Sequence, residues 1–427
     1  MEPLIIKIVT LGCKVNQCES ASIVSALRSN NYNASEGLDP ADVYILNTCS
    51  VTAEADKKSR QYVTKMIKLN PLCHIIVVGC SSQNKPEQFN KNNVFSVGGT
   101  SHKVDFVLNS LKLLFKNNYN TLSGRIVFDE NIDKIEQERV YCCENYPVSD
   151  KTRAFIKIQD GCNRFCTYCI IPYLRGRNRS RPISDIVEEC KLIDSREIVI
   201  TGIDMSSYGA DIDTNLTALI CALRGFSARK RLGSLECEII DDRILSAMKE
   251  SDFCPHFHLS LQSGSDVVLR SMNRRYTCDL FLSKVELIRK YYPMAAITTD
   301  IIVGFPTETD SLFDSSIDFI KQCSFSDIHV FPYSSRAGTL AARKYKTLPP
   351  DIVKSRVDRL LAVKRCLHKD FLLKNLGAVQ PVYVEDPEGE YNVGYTPNYI
   401  KVYSKAACGE IVDLKLTELY SDGVIGV

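Results

Sequence analysis

The chain has no tryptophan, only six methionines and six histidines, and a net charge of just +2 over 427 residues. No apolar run approaches the ~18 residues that a membrane-spanning helix needs, so no segment is expected to cross a bilayer. Internal repeats and low-complexity tracts are absent as well. With 44% hydrophobic and 24% charged residues, disordered, collagenous and coiled-coil classes are excluded. The opening stretch MEPLIIKIVTLGC has too short an apolar segment for a signal peptide and reads as a strand. The small net charge hides an uneven distribution. Residues 151–181 carry eight Lys/Arg against one Asp, and residues 351–374 carry seven against three Asp. Residues 375–427 reverse this, with three Lys against eight Asp/Glu. The two basic stretches are candidate contacts to a phosphate backbone; the plainer reading is solvated helix faces and loop charge.

Cysteine is the residue in excess. There are eighteen, below the ~8–10% density of a disulfide scaffold, in a chain long enough to bury a real core. Reduced thiols in a cytoplasmic protein are the expectation.

Residues 1–116 alternate short β-branched runs with helical patterns. IIKIVT (5–10), VYILN (43–47), IIVVG (75–79) and VFSVG (94–98) read as strands. Helices are expected over 17–30, 53–69, from Pro86, and 104–115. The strand runs are continuously apolar, as parallel strands covered on both faces must be. A doubly wound parallel α/β domain is therefore predicted over 1–116. Residues 117–150 are polar and acidic and read as a linker containing one or two strands, RIVF (125–128) among them. A second βα series follows at 154–159, 197–202, 235–240, 257–262, 297–305 and 326–333. Six such units predict a partial (β/α)6 barrel, smaller than the ~250-residue eightfold form, and with its trailing basic helix it spans 151–374. The tail, 375–427, is rich in β-formers and predicts a small C-terminal β-barrel.

Two groups of cysteines carry a chemical signal. GCNRFCTYC places Cys162, Cys166 and Cys169 within eight residues, directly after the strand at 154–159. Three thiolates do not close a tetrahedral zinc site without a fourth ligand, but they hold three irons of a 4Fe–4S cluster and leave the fourth open. Barrel enzymes place their chemistry at this carboxyl end of the strands. The second group is dispersed: Cys13, Cys49 and Cys80 each stand just past the carboxyl end of one of the first three strands. In a doubly wound sheet these ends share the ligand-binding edge, so a second three-thiolate site is predicted. The other twelve cysteines read as small buried hydrophobes, Cys18 within the first helix; the Cys142–Cys143 pair is the one candidate for reactivity.

CxxxCxxC after the first strand of such a barrel resembles the radical S-adenosylmethionine (SAM) superfamily. The wider set of motifs resembles one of its branches, the methylthiotransferases, along essentially the whole chain: TLGCKVNQCES (10–20), LNTCSVT (46–52), VVGCSSQ (77–83), KIQDGCNRFCTYCIIPYLRGRNRSR (157–181), LQSGSD (261–266), TDIIVGFPTET (299–309) and HVFPYSSRAGT (329–339). The tail is similar to the small RNA-binding barrel called TRAM, although its acidity departs from an RNA-binding surface. KVNQ, the 157–172 stretch, HVFPYS and Arg336 look most like the branch acting on threonylcarbamoyladenosine in tRNA.

This resemblance implies two 4Fe–4S clusters, on Cys13, Cys49 and Cys80 and on Cys162, Cys166 and Cys169, with SAM as cofactor. One SAM methylates a sulfur on the first cluster; another, at the second, yields the radical that takes hydrogen from adenine C2, where the methylthio group then joins. A low-potential electron donor and the tRNA anticodon loop are the implied partners. Tyr168, Gln262, Ser263, Asp300 and Gly304 are candidate cofactor contacts, with Asp266 beside them. Arg175, Arg177 and Arg179 are candidate phosphate clamps. His258 and His329, on strands, read as core histidines. Alternatives are action on isopentenyladenosine in tRNA, action on a ribosomal-protein aspartate, and a non-catalytic RNA-binding protein with structural clusters.

Overall fold

The structure, a computed structural model, describes residues 4–116, 126–142 and 152–427. Cys143 lies outside the described residues. The chain divides into two compact units. The first comprises residues 1–194, 201–214 and 334–339; the second comprises 195–200, 215–333 and 340–427.

The first unit begins with β1 (Ile5–Thr10), α1 (Lys14–Ser29), β2 (Asn33–Glu36), β3 (Val43–Thr48), α2 (Ala53–Leu69), β4 (His74–Gly79), α3 (Cys80–Asn84), β5 (Val94–Val97), α4 (Lys103–Lys116) and β6 (Val127–Phe128). Its strands form a six-stranded sheet of order β2-β1-β3-β4-β5-β6, parallel throughout. Every residue of β3 and β4 is buried, which explains their unbroken apolar runs. Ile8, Ile45 and Ile76 pack on one face against Ile23, Leu27 and Leu111 of α1 and α4. Tyr44, Leu46 and Val77 pack on the other against Val63 and Met66 of α2. The sheet is thus doubly covered, as expected. One strand has no counterpart in the sequence reading, and one expected helix fails. The polar edge strand β2, reading NASE with only Ala34 buried, has no apolar period to announce it. Pro86 opens a four-residue 3-10 turn, Pro86–Phe89, and not a full helix. The unit continues with β7 (Arg153–Asp160), α5 (Ile171–Leu174), β8 (Arg179–Ser180) and α6 (Ile183–Leu192), β7 and β8 pairing antiparallel.

In the second unit residues 197–200 of β9 (Glu197–Gly202) pair in parallel with β10 (Arg229–Leu232), with α7 (Leu216–Ala222) between the two strands in sequence. Next come β11 (Ser234–Leu235), α8 (Asp242–Glu250), β12 (His256–Leu259), α9 (Asp266–Ser271), α10 (Cys278–Tyr291), β13 (Ala296–Val303), α11 (Asp310–Cys323) and β14 (Asp327–Pro332). Their strands make a parallel sheet of order β11-β12-β13-β14. β10, reading RKRL, was not anticipated because three cations in four residues resemble a loop. Its arginines are satisfied from afar: Arg231 pairs with buried Glu197 at 2.9 Å and donates to the Thr396 and Pro397 carbonyls. The strand expected over 235–240 shrinks to Ser234–Leu235, and Cys237–Ile239 turns as a 3-10 helix. There Glu236 is taken by the buried Arg274.

α12 (Leu340–Lys344) and the long α13 (Pro350–Asn375) follow. β15 (Val379–Glu388), β16 (Tyr391–Tyr395), β17 (Lys401–Ser404), β18 (Ile411–Tyr420) and β19 (Gly423–Gly426) then close a barrel of order β15-β16-β17-β19-β18. Only the β17–β19 pairing is parallel. Val382, Val384, Val402, Leu416 and Val424 fill it, with Leu372 of α13 packed among them. The charge on α13 is partly spent inside the unit. Arg356 binds Glu308 and Asp310, Arg359 binds Asp314, and Lys364 binds Asp327. Lys354, Arg365, Lys369 and Lys374 remain exposed.

Candidate functional site

Cys13, Cys49 and Cys80 follow the carboxyl ends of β1, β3 and β4, three neighbours in the sheet. Cys49 and Cys80 are buried while Cys13 is exposed. Burial pushes the Cys49 thiol up to about 12, with Cys80 and Cys13 adding to the effect, so the three thiols sense one another. Gly12 (φ +101°) explains its own identity: a Cβ there would stand 2.8 Å from the Cys49 sulfur.

Two polar side chains cross-link the three cysteine loops. Asn16 Nδ2 donates to the Leu11 carbonyl at 2.7 Å and the Thr48 carbonyl at 2.9 Å. The Thr48 hydroxyl donates to the Val78 carbonyl at 2.8 Å and accepts from the Ser81 and Ser82 N–H groups. A third tie comes from far along the chain, where Arg336 donates to Ser50 at 2.7 Å and pairs with Asp56.

Beneath this edge lies a buried ionic layer. Glu19 accepts from Arg175 at 2.8 Å, from Lys157 at 2.7 Å and from Lys103. Arg175 also reaches Asp160 at 3.1 Å and Asn16 Oδ1 at 2.8 Å, while Lys103 donates to Asn47 at 2.9 Å. Burial alone would raise the Glu19 carboxyl, but Arg175, Lys103 and Lys157 together hold it well below the ordinary range. Asp160 is lowered in the same way, Lys157 and Arg175 outweighing burial. With Arg179 beside Asp160, the four cations Lys103, Lys157, Arg175 and Arg179 outnumber the carboxylates of Glu19 and Asp160 by two. Burial raises the Cys80 thiol, and Arg175 and Lys103 oppose that rise. The cations thus offset part of what burial costs a thiolate at Cys80.

Cys162, Cys166 and Cys169 lie on the loop leaving β7 and are half-buried. Gly161 (φ +72°) starts the loop; a Cβ there would lie 1.9 Å from the Arg177 carbonyl oxygen. Cys162 N–H donates to the Gly176 carbonyl, Cys169 N–H to that of Cys166, and Arg164 N–H to the Cys162 sulfur at 3.4 Å. Arg164 is tethered to Asp204 at 3.0 Å, and Asp204 stands 3.8 Å from the same sulfur. Burial first, then Asp204, pushes the Cys162 thiol upward, with smaller contributions from Cys169 and Cys166. Cys80 packs against Ile170 and Leu174, so both cysteine groups sit in one packed body.

Zinc bound by thiolates at ~2.3 Å would draw the sulfurs to ~3.8 Å of one another. Among the described residues, the group of three ligand atoms within 4.8 Å of one another is His258, Asp300 and His329. Neither cysteine trio is so contracted. Three thiols per site are a donor set that could hold three irons of a 4Fe–4S cluster.

The remaining expected site residues fare differently. Arg175 and Arg179, expected to meet phosphate, are instead buried: Arg175 is in the ionic layer and Arg179 lies beside Asp160. Their charges hold loops together. Arg177 is half-buried over the Phe165 ring at 4.6 Å, and Tyr168 is half-buried on the cluster loop. Ser263, expected at the cofactor, is buried and bonded within its own turn. Asp266 accepts from the Cys278 N–H at the start of α10. Gly304 (φ +78°) is explained by Val353 of α13, 2.6 Å from where its Cβ would stand. Gln262 holds φ +67° and exchanges backbone hydrogen bonds with Asp300 and Ile302. Asp300 Oδ1 lies 3.2 Å from His258 Nε2. His258 and His329 are not core residues but half-buried and exposed respectively. Asn16, Glu19, Lys103 and Asp204 were missed. The Asn16–Glu19 spacing on one face of α1, just after Cys13, was the available signal.

Residues 5–98 match the Uncharacterized protein family UPF0004, and residues 156–320 match the Radical SAM superfamily. The chain is 36% identical over 435 residues to the threonylcarbamoyladenosine tRNA methylthiotransferase MtaB of Bacillus subtilis, covering 97% of this chain and 94% of that protein. It is 33% identical to the Aquifex aeolicus protein of the same name, covering 92% and 95%. Identity is also 33% to the tRNA-2-methylthio-N(6)-dimethylallyladenosine synthase of Clostridium botulinum, covering 98% and 95%. Among solved structures, the radical SAM methyltransferase TsrM from Kitasatospora setae shares the fold with a TM-score of 0.56 at 12% identity, over 80% of this chain and 77% of that one. The two domain matches, the near-full-length relatives and the cysteine-bearing loops agree: this chain belongs to the methylthiotransferase family of radical SAM enzymes.

Proposed function

We propose that the protein adds a methylthio group to C2 of N6-threonylcarbamoyladenosine next to the anticodon of tRNA, using two 4Fe–4S clusters and SAM. The observation that carries this reading is the second set of three thiols, Cys13, Cys49 and Cys80, at one sheet edge in the same unit as Cys162, Cys166 and Cys169. A radical enzyme needing only SAM cleavage has no use for a second open-iron site. The substrate assignment rests on relatives such as the B. subtilis enzyme, which is named for that nucleoside.

When bound, the clusters supply electron transfer into SAM and a site for the sulfur to be transferred. The protein's residues do the positioning. Asn16 and Thr48 hold the Cys13, Cys49 and Cys80 loops in register. The Glu19–Arg175 layer supplies fixed positive charge beside Cys80. Arg164 and Asp204 clamp the Cys162 loop. A low-potential donor delivers the electrons.

Nucleoside mass spectrometry of tRNA from cells with and without the gene tests the substrate. Loss of methylthio-threonylcarbamoyladenosine supports the proposal; loss of the isopentenyl form, or no change in tRNA, refutes it. The dimethylallyl branch is the second reading, kept because the C. botulinum relative matches at 33%. Cys49→Ala should retain 5′-deoxyadenosine release and lose methylthiolation, and retained methylthiolation would remove Cys49 from the second cluster.

A further inference from the structure

The parallel sheet of the second unit presents one face that its packing leaves unsatisfied. In register, Asp300 of β13 stands opposite His329 of β14, Ile302 opposite Phe331, and His258 of β12 opposite Thr298. The twofold alternation of strands puts His258, Asp300, Ile302, His329 and Phe331 on a common face. Their neighbours Phe257, Leu259, Ile301, Val303 and Ile328 are buried. On the common face His258 and Asp300 are half-buried while His329 and Phe331 are exposed, Phe331 by 43%.

The polar groups converge. His258 Nε2 lies 3.2 Å from Asp300 Oδ1, and the two imidazoles are 5.6 Å apart, tilted by 31°. One ligating atom from each of the three residues falls within 4.8 Å of the others. Yet among the described residues no side-chain hydrogen bond is made by the His329 ring, and His258 Nδ1 is buried without a partner. Asp300, held on one side by His258, has its second oxygen to offer. The face therefore combines an acceptor carboxylate, two imidazoles able to donate, and an apolar ring. Its complement is a small group with N–H donors and an anionic or hydroxyl acceptor, joined to a flat apolar body.

We infer that His329, His258 and Asp300, with Phe331, form the face that reads the polar N6 arm of the target adenosine. This rests on the threonylcarbamoyl reading proposed above. That arm carries ureido N–H groups for Asp300, and a carboxylate and a hydroxyl for the imidazoles. An isopentenyl arm is hydrocarbon, so it would cover the His329 ring and the outer Asp300 oxygen without offering either the carboxylate or the hydroxyl, a mismatch that sites built for hydrogen bonding reject strongly. Phe331 gives the base a ring to lie against.

The test uses reconstituted full-length enzyme and two anticodon stem-loops. One carries threonylcarbamoyladenosine; the other carries an N6-methylcarbamoyl analogue lacking the carboxylate and hydroxyl. Wild type must methylthiolate the first; if it does not, the substrate reading itself fails, whatever the variants do. Given that activity, His329→Ala should lower kcat/KM on the natural arm by roughly 10–100-fold, the range for a hydrogen bond to a charged group. It should have no further effect on the analogue. Iron content and tRNA-independent 5′-deoxyadenosine release should stay at wild-type values. His258→Gln, which replaces the ring that holds Asp300, should also lower kcat/KM on the natural arm, and an unchanged value would remove His258 from the face. Unchanged kcat/KM on the natural arm, or equal loss on both arms, overturns the inference. So does stoichiometric zinc or manganese in wild type that His329→Ala removes, because the trio would then be a metal centre.

Discussion

Glu19→Gln keeps the shape of a buried side chain and removes a single charge. In the folded protein that carboxylate accepts from Arg175, Lys157 and Lys103, whose side chains are only 1%, 13% and 1% exposed. Without it, Arg175 and Lys157 keep only Asp160 as a carboxylate partner, and Lys103 keeps only the Asn47 amide. Removing one partner of a buried ion pair costs about 3–5 kcal/mol, because the remaining charges cannot return to water. For a unit of this size each kcal/mol lowers Tm by ~2–4 °C, so the melting point should fall by roughly 6–20 °C. Urea denaturation of the cluster-free protein measures the loss without interference from iron. Glu188→Gln is the contrast: its partner Lys191 is 54% exposed and Glu188 itself 67%, so the change should stay within ~1 kcal/mol. Acid gives a second check. The Glu19 carboxyl is held below its ordinary value in the fold, so its contribution is fully present above the unfolded value near ~4.3. It is lost as pH falls through the lower, folded value. The gap between wild type and Glu19→Gln should be constant from neutral pH to about pH 5 and close only at stronger acidity. A loss under ~1 kcal/mol at pH 7, matching an exposed pair, would refute the account of the ionic layer.

Gly161→Ala forces a Cβ onto the Arg177 carbonyl oxygen at 1.9 Å; iron analysis should show loss of the Cys162 cluster, and 5′-deoxyadenosine release should fall at least about tenfold, or ~1.4 kcal/mol in barrier. Arg336→Ala leaves the Asp56 carboxylate buried beside the Cys49 loop and should cost about 3 kcal/mol by chemical denaturation; near-wild-type stability would show that the contact contributes little. Arg231→Leu breaks the 2.9 Å pair to Glu197 and both bonds to the C-terminal barrel. Limited proteolysis should then cut near residue 397 at protease levels that spare wild type.

The parts legible in the sequence are those whose information is local. The runs of β3 and β4 announce their burial because each residue is apolar, and the cysteine phasing follows from strands of known direction. What stayed hidden depends on partners far along the chain. Arg175 is separated from Glu19 by 156 residues, so a count of nearby charges made it a phosphate clamp when it is a buried strut. β10 has no apolar pattern, since its arginines are satisfied by carbonyls about its C-terminal neighbour, 165 residues away for Thr396. His258 and His329 read as core residues until strand register set them beside Asp300. Single residues on separate strands give no periodic signal, and only the pairing reveals the cluster.

Arg336 and its five neighbours in 334–339 belong to the first unit, although the residues on either side of them belong to the second. This has a consequence for synthesis on the ribosome, where N-terminal units ordinarily fold as they emerge. Here the loop bearing Cys49 waits for a counter-ion to Asp56 that is translated 280 residues later. Completion of the edge that carries Cys13, Cys49 and Cys80 is thereby tied to a chain that has been made past residue 336. A fragment ending before residue 334 would present three correct thiols on an edge still missing one of its bolts.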